Sequence, residues 1–206
     1  MTDASLDEKF PLERMRRRIL KVNHAGECGA IAIYGAQSWF AFVWVGELKT
    51  FLSEARRHEI GHRDRFRRAM RERGVSPCPG TALWVAGGCI LGLVSVCGGK
   101  RGVYACTAAV ERAVHGHLDE QIEFLAGRDD ALMDVIGEIR IEEAVHMHEG
   151  EAGYNPNCQT AKGFTGFVSV VVEALIWLAT FGDSQRLRRA LPPTEPSRCT
   201  GRGSVT

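Results

Sequence analysis

The residues of this chain with the clearest chemical potential form two copies of one pattern. In each copy, a glutamate is followed 32 residues later by the first residue of a Glu-x-x-His motif, and the copies lie 84 residues apart. The first copy consists of Glu27, Glu59 and His62, and the second of Glu111, Glu143 and His146. Carboxylates and imidazoles in this arrangement hold pairs of metal ions inside four-helix bundles. The spacing therefore predicts a dinuclear metal site.

Helix geometry explains how these side chains can meet. Residues three positions apart lie on one face of a helix, so each Glu-x-x-His motif can grip a cation from a single helix. The midpoint between Glu111 and Glu143 is Gly127, in a Gly-Arg-Asp-Asp turn whose aspartates can cap the next helix. A hairpin that turns midway brings its two glutamates to the same depth. The alternative is that the six residues lie on separate, solvated helix faces.

The donor types favour particular metals. Buried carboxylates are strongly unfavourable without compensation, and two divalent cations would offset four of them. Four carboxylates and two imidazoles without a thiolate form an oxygen-rich set that suits iron or manganese, with zinc as the rival. We therefore expect the metal-free protein to be less stable near neutral pH.

Further polar residues lie close to this pattern. His24, Tyr34 and His117 are candidates to support the ligands, and plain packing or a surface position is the alternative for each. Glu142, beside Glu143, is expected to support a ligand or to lie at the surface. His58 adjoins Glu59 on the helix, so we expect it to point elsewhere and to be solvated.

The elements that must position these residues are helices. The fold class predicted is all-α: a ferritin-like four-helix bundle with an apolar crossover segment and a fifth, C-terminal helix. Three glycines near Glu27 indicate that another helix, a ligand or the metal site approaches that helix closely. The predicted helices cover residues 12–44, 47–73, 101–126, 130–150 and 164–181, within a domain of residues 11–182. Residues 1–10 and 183–206 are expected to be disordered.

The segment Gly74–Gly99 joins the two halves and contains no charged residue. Its stretch Thr81–Cys97 is slightly short for a membrane span. An open apolar connector is unfavourable in water, so we expect it to pack on the bundle and dip into a membrane surface, with nearby arginines against anionic lipid. The alternative is a crossover buried wholly in protein.

Composition narrows the class of protein. The chain has 206 residues and a formal net charge of +1, which gives no indication of a nucleic-acid partner. Its seven cysteines form no Cys-x-x-Cys pair, which argues against a disulfide framework or a zinc knuckle and favours a reducing compartment. The first eleven residues lack an apolar core of signal-peptide type, so no export signal is predicted.

Three segments together resemble the demethoxyubiquinone hydroxylase family of ubiquinone biosynthesis. They are the first-helix segment VNHAGECGA (22–30) followed by Ile33-Tyr34, the segment ACTAAVE (105–111), and Ile141-Glu142-Glu143 through His146. The likeness runs from about Arg14 to Phe181. Two departures are the order Tyr34-Gly35-Ala36-Gln37, where the family usually has Tyr-x-Gly-Gln, and Leu118, where some relatives carry an aromatic residue.

This resemblance implies an enzyme of the 3-demethoxyubiquinol 3-hydroxylase type. Such a ferritin-like di-iron monooxygenase hydroxylates the ring of a polyprenylated methoxy-benzoquinol with O₂. Two Fe²⁺ ions would be held by Glu27, Glu59, His62, Glu111, Glu143 and His146, with Glu59 and Glu143 bridging. The implied location is a peripheral one, on the cytoplasmic face of a bacterial inner membrane or on the mitochondrial inner membrane. Other ubiquinone-biosynthesis proteins are further candidate partners.

Two other functions fit the ligand set. One is a di-iron hydroxylase with a soluble or RNA substrate, which would have no use for an apolar crossover. The other is a ferritin-like ferroxidase or storage protein, whose polar cage exterior fits two long apolar stretches poorly.

Overall fold

The computed structural model describes residues 10–40 and 47–191, and within these ranges the secondary structure consists of helices only. The helices are α1 (Leu12–Phe40), α2 (Glu47–Glu72), α3 (Thr81–Cys97), α4 (Gly99–Leu125), α5 (Asp130–Ala152), α6 (Gln159–Thr180) and α7 (Asp183–Ala190). The predicted all-α class is confirmed. The predicted end of the first helix at residue 44 lies outside the described residues.

Four long helices form the bundle. Helix α1 packs on α2, α4 packs on α5, and α2 also contacts α5. The two hairpins of the sequence repeat are therefore the two halves of the bundle, as predicted. Helix α4 begins two residues before the predicted start, and α6 begins five residues before it.

The turn between α4 and α5 follows the sequence prediction closely. Gly127 has a φ of +67°, a conformation that glycine adopts without steric cost. The Asp129 side chain caps α5 by accepting a hydrogen bond from the backbone N–H of Leu132 at 3.2 Å. The same carboxylate pairs with Arg16 of α1 and with Arg73, which follows α2. One side chain thus ties the second hairpin to the first.

Helix α3 lies against α1 through glycines. A Cβ atom added to Gly88 would overlap the carbonyl oxygen of Gly29, and one added to Gly92 would come within 2.6 Å of the carbonyl oxygen of Ile33. Farther along, Gln37 donates a hydrogen bond to Ser95 at 2.8 Å. The close helix approach predicted from the glycines near Glu27 is therefore an approach by the crossover helix.

Apolar clusters pack at both ends of the bundle and beside it. Phe66, Phe124 and Ile136 belong to the largest cluster, near the α4–α5 turn. Tyr34 and Leu52 belong to a smaller one at the opposite end. A third cluster joins α1, α3, α4 and α6. Burial of this apolar area is the main stabilising term, and it leaves the repeated glutamates and histidines between the two ends.

The chain from 183 to 190 differs from the expectation of a disordered tail. After a left-handed turn at Phe181 and Gly182, it forms α7. Leu187 is buried in the largest cluster, and Asp183 is buried beside Arg14 and Arg18. The sequence did not predict this helix because its composition is polar. Its order comes from contacts with distant helices, which the local sequence does not reveal. Residues 1–9 and 192–206 lie outside the described residues.

Helices α3 and α6 expose many large apolar side chains, which we call the apolar face: Leu83, Val85, Ile90, Leu93, Val94, Phe167, Val170, Trp177, Leu178 and, directly after α6, Phe181. The crossover is therefore not buried wholly within this chain. By length and composition, α6 is long and apolar enough to cross a membrane, and 22% of its apolar stretch is buried in the protein. This face is unlike an ordinary water-exposed surface.

Candidate metal centre

The six repeated residues converge at one place. Each is at most 5% exposed. Their donor atoms fall into two groups, within each of which all atoms lie within 4.8 Å of one another: Glu27, Glu59, His62 and Glu143 in the first, and Glu59, Glu111, Glu143 and His146 in the second. The alternative of six separate solvated faces is therefore wrong.

Glu59 and Glu143 belong to both groups, whereas the other four residues belong to one each. The Nδ1 atom of His62 lies 3.6 Å from Glu59 and 2.7 Å from Glu143. The Nδ1 atom of His146 lies 3.5 Å from Glu59 and 3.4 Å from Glu143. Two carboxylates therefore stand between two imidazoles, an arrangement that can serve two cations side by side.

The hydrogen bonding of these side chains fits bound cations. Among the described residues, four of their buried polar atoms make no hydrogen bond of good geometry, although Nδ1 of His62 lies 2.7 Å from Glu143: Oε1 of Glu59, Nδ1 of His62, Oε2 of Glu143 and Nδ1 of His146. Buried polar atoms without a partner are rare and costly. Here all four point towards one centre, where metal coordination would satisfy them. The donor set, with oxygen and imidazole nitrogen and no thiolate, suits iron, manganese or zinc.

The pKa shifts at the site also fit bound cations. Burial, with the neighbouring carboxylates, raises the pKa of Glu27 and of Glu111 well above the usual range. Burial lowers the pKa of His62 and His146, but the facing carboxylates of Glu143 and Glu59 outweigh it and raise the two values to about 10 and about 9. Without cations these groups retain protons, and cations would take the protons' place.

His62 is backed by a carboxylate. Its Nε2 atom lies 3.0 Å from Oε2 of Glu142, which also accepts a hydrogen bond from Arg65 at 2.6 Å. The hydrogen bond from Arg65 is the main reason that the pKa of Glu142 falls to about 2, so this side chain is anionic. With Nε2 donating to Glu142, His62 is left with Nδ1 free to face the centre. Glu142 thus supports a candidate ligand, one of the two roles expected from the sequence.

His146 is backed by another histidine, which overturns the expectation for His58. The Nε2 atom of His146 lies 2.8 Å from Nδ1 of His58, and the two rings are nearly parallel, with 13° between their planes and centroids 5.0 Å apart. The other nitrogen of His58 lies 3.0 Å from the guanidinium of Arg57. Adjacency to Glu59 suggested a solvated side chain, but α5 lies close enough for His58 to reach across to it. That distance depends on packing between helices, which the local spacing does not contain.

The three candidate supporting residues have different surroundings. Tyr34 is buried and donates a hydrogen bond to Oε1 of Glu111 at 3.0 Å. His24 is buried, and its Nδ1 has no hydrogen-bond partner among the described residues. Burial is the main cause of its lowered pKa, and the charges of Arg67 and Arg63 add to that effect. Only Tyr34 of the three contacts a candidate ligand in the described part of the chain.

His117 belongs to a separate polar cluster formed with α6 and α7. It lies 3.2 Å from Glu173, 2.9 Å from the hydroxyl of Ser184 and 3.2 Å from Arg188. Arg188 also pairs with Glu120 and Glu173. This cluster holds α7 on the bundle, which explains why Glu173 is present in an otherwise apolar helix.

A largely apolar cavity leads to the centre. It measures about 840 Å³ with its open mouth, and its walls come from α1, α3, α4 and α6. Glu27, Glu59, Glu111 and Glu143 line its inner end. At the outer end, between α3 and α6, Gly87, Val171 and Leu175 are partly exposed and are neighbours of the apolar face. Apolar walls with a few polar groups converging at the inner end are typical of sites for small organic ligands.

Comparison with known proteins gives consistent similarities. The sequence model of the family described as "Ubiquinone biosynthesis protein COQ7" matches residues 14–179. The chain is 34% identical over 177 residues to the NADPH-dependent 3-demethoxyubiquinone 3-hydroxylase of Dictyostelium discoideum. The aligned residues make up 84% of this chain and 81% of the relative. The enzyme of the same name from Mus musculus is 34% identical over 65% of this chain and 62% of its own length. A 3-demethoxyubiquinol 3-hydroxylase of Rhodospirillum rubrum is 29% identical over 79% of this chain and 76% of its own length.

Proposed function

Because the chain belongs to the COQ7 family of ubiquinone biosynthesis proteins, we propose that it is a di-iron monooxygenase acting on demethoxyubiquinol. It would use O₂ to hydroxylate the ring of this polyprenylated methoxy-benzoquinol. The observation that carries the proposal is the cavity, which joins the apolar face to the buried carboxylates. A substrate with a polar ring and a long apolar tail matches both ends of such a cavity.

In this proposal the six repeated residues are the iron ligands. Glu27 and His62 serve one ion, Glu111 and His146 the other, and Glu59 and Glu143 bridge them, in agreement with the two overlapping groups of donor atoms. Two ferrous ions would balance the four carboxylates and supply the chemistry of O₂ activation.

The remaining residues of the cavity would bind and orient the ring. Val110, Ile33 and Leu118 form apolar walls that exclude water beside the carboxylates. Asn23 and Gln121, which exchange hydrogen bonds of 2.7 and 3.1 Å, also border the cavity. Their amide groups would hydrogen bond the ring oxygens and hold the ring in one orientation.

The apolar face supports a peripheral membrane location. From the family, we propose the cytoplasmic side of a bacterial inner membrane, or the mitochondrial inner membrane in a eukaryote. Phe181 is 74% exposed, and the guanidinium of Arg18 lies 5.5 Å from its ring centroid. An arginine beside an exposed aromatic ring suits the boundary between acyl chains and anionic headgroups. The isoprenoid tail would then enter from the bilayer between α3 and α6.

Activity is tested with the full chain, purified in detergent and loaded with iron. The expected reaction consumes one O₂ and two electrons, inserts one oxygen atom into the ring and releases water. NADPH is a candidate electron source, because the relatives from Dictyostelium discoideum and Mus musculus are named as NADPH-dependent. Mass spectrometry should show a product about 16 mass units heavier with ordinary O₂ and about 18 mass units heavier with ¹⁸O₂. A two-iron protein that leaves the quinol unchanged under these conditions would refute the proposed substrate.

Complementation provides the matching test in cells. The chain should restore ubiquinone in a bacterial strain that accumulates demethoxyubiquinone. Continued accumulation, with the protein present in the membrane fraction, would count against the function.

Membrane binding is tested by flotation with vesicles of neutral or anionic lipid. Replacing Trp177 and Phe181 by serine should reduce binding at least tenfold, because about 0.8 kcal/mol is lost for each buried CH₂ group withdrawn from the acyl region. Ile141→Ser is the matched control, since Ile141 is 67% exposed on α5, outside the apolar face. Equal losses in the two proteins would show that the apolar face has no special role.

The storage alternative predicts a different particle. A ferritin-like storage protein would form a large soluble shell with a polar exterior, whereas this chain exposes ten large apolar side chains on its apolar face. Size measurement in aqueous buffer and in detergent distinguishes the two, and a detergent-independent shell would favour storage.

A further inference from the structure

The two halves of the metal centre have the same ligands but different supports. Nothing in the repeated pattern itself distinguishes the cation between Glu27 and His62 from the cation between Glu111 and His146. The side chains behind these ligands do distinguish them. The inference that follows rests on the dinuclear centre of the proposed function.

The first difference is the group behind each imidazole. His62 donates from Nε2 to the anionic carboxylate of Glu142. A carboxylate acceptor fixes the tautomer of a ligating histidine and makes the other nitrogen a stronger donor to the cation. His146 has the neutral ring of His58 in the corresponding place. An imidazole nitrogen accepts a hydrogen bond but adds no negative charge, so His146 is the weaker ligand.

The second difference is a conflict of hydrogen-bond roles at His58. When Nδ1 of His146 binds a cation, its Nε2 carries the proton and donates to Nδ1 of His58. The neutral ring of His58 then carries its own proton on Nε2, which faces a guanidinium nitrogen of Arg57 at 3.0 Å. An arginine can only donate, so two N–H groups oppose each other there. His58 is therefore not held by Arg57 while it supports His146, whereas Glu142 is held by Arg65 while it supports His62.

The third difference concerns the terminal glutamates. Oε1 of Glu111 accepts a hydrogen bond from Tyr34, which leaves Oε2 as its free oxygen for a cation. Glu27 has no hydroxyl donor in the described part of the chain, so both of its oxygens can coordinate. All three differences favour stronger cation binding in the half that contains Glu27 and His62.

We propose that the centre binds its two cations unequally, the ion at Glu27 and His62 binding first and more tightly than the ion at Glu111 and His146. His58 and Glu142 set this order as positioning residues, because each acts on a cation through the imidazole that it contacts. A state with one ion is then a defined species, with the His62 half filled.

The order is measured by equilibrium dialysis of the metal-free, full-length protein against Mn²⁺, with the bound metal counted. The expected result is two steps whose dissociation constants differ by about tenfold or more, the size of typical effects of groups behind metal ligands. His62→Ala should remove the tighter step and His146→Ala the weaker one. A single step with two equivalent ions would overturn the inference while leaving the dinuclear centre intact. Failure to bind Mn²⁺ or Fe²⁺ at all would refute the centre itself.

Two gentler substitutions test the positioning residues without removing a ligand. Glu142→Gln removes the charge behind His62 and should weaken the tighter step about 10- to 100-fold, with the weaker step changed little. Glu138→Gln is the matched control: Glu138 approaches Arg65 at 3.7 Å from the same helix but does not contact His62. If Glu138→Gln and Glu142→Gln weaken the tighter step equally, Glu142 has no special role.

His58→Gln tests the other half in the opposite direction. An amide oxygen can accept from His146 without the conflict at Arg57, so the weaker step should tighten and the gap between the steps should narrow. A wider gap would overturn the role assigned to His58. Thermal melting of each variant without metal shows whether the fold is intact, which separates a loss of fold from a loss of affinity.

Discussion

The α1–α2 hairpin and the α4–α5 hairpin place the same ligands at the same spacing, yet they meet different neighbours. The first hairpin has α3 pressed against α1 through backbone contacts at glycines. The second has α6 packed on α4 through larger side chains such as Val168 and Val172. The comparison shows that a ligand repeat can remain regular while its two copies acquire different walls and different supports.

The strongest test of this comparison removes a residue that both halves share. Glu143→Ala should abolish binding of both cations and reduce hydroxylation at least about 100-fold, since Glu143 belongs to both groups of donor atoms. Glu111→Ala removes a ligand from one group only and should retain one ion. Metal content and turnover measure both effects.

Glu149→Ala is the control for this test, because Glu149 is exposed on the same helix. Two bound ions and full turnover in Glu143→Ala would contradict the assignment of Glu143. In the wild type, bound metal should also raise the melting temperature, since a ligand that binds only the folded state stabilises it.

A second test concerns the backbone contact that α3 makes with α1 of the first hairpin. Gly88→Ala should destabilise the protein by about 1–3 kcal/mol, because the added methyl group overlaps the carbonyl oxygen of Gly29 and forces α3 away from α1. Gly87→Ala is a close control, since its Cβ meets only Leu175, at 4.0 Å. Replacing a helical glycine by alanine there should be neutral or stabilising by up to about 1 kcal/mol. Urea unfolding measures both, and equal stabilities of the two variants would refute the backbone contact.

The smallest expected effect concerns the tie between the hairpins. Asp129→Asn keeps a capping side chain but loses the charge that faces Arg16 and Arg73, which should cost about 1–2 kcal/mol at pH 7. Burial raises the pKa of Asp129, but the hydrogen bonds from Arg73, Leu132 and Arg16 outweigh it and hold the pKa below 3.8. The stabilisation is thus complete above the ordinary aspartate pKa of about 3.9 and is lost as the pH falls through the lower, folded-state value.

Unfolding measured at a series of pH values checks the direction of this pH dependence. Wild type and Asp129→Asn should converge in stability as the pH falls through the lowered, folded-state pKa of Asp129. A difference that grows on acidification would show that the charge of Asp129 is not what joins the hairpins.

The sequence predicted what depends on helix geometry alone. The convergence of the six ligands follows from offsets of 3 and 32 residues and from a turn at Gly127, and the structure confirms that convergence. The glycines near Glu27 indicated a close neighbour, and α3 fills that place. Tyr34 was also placed correctly, because a position seven residues from Glu27 lies on the same helix face.

What the sequence did not predict depends on contacts between distant helices. The pairing of His58 with His146 spans 88 residues and is decided by how closely α2 and α5 approach. The order of α7 depends on Leu187 reaching the core and on Arg188 reaching Glu120, and neither contact leaves a local periodic signal. The proposed inequality of the two cation sites is of this second kind.

The backbone contact between α1 and α3 also bears on how the cavity could be re-engineered. Gly88 and Gly92 of α3 meet the backbone of α1 directly, so a change of rotamer cannot alter the helix separation at these two points, and Glu27 keeps its position while the lining is varied. Trp84 and Leu91 line the cavity from the inserted helix. Smaller residues at these two positions would widen the cavity for bulkier rings, while the helices that carry the carboxylates keep their positions.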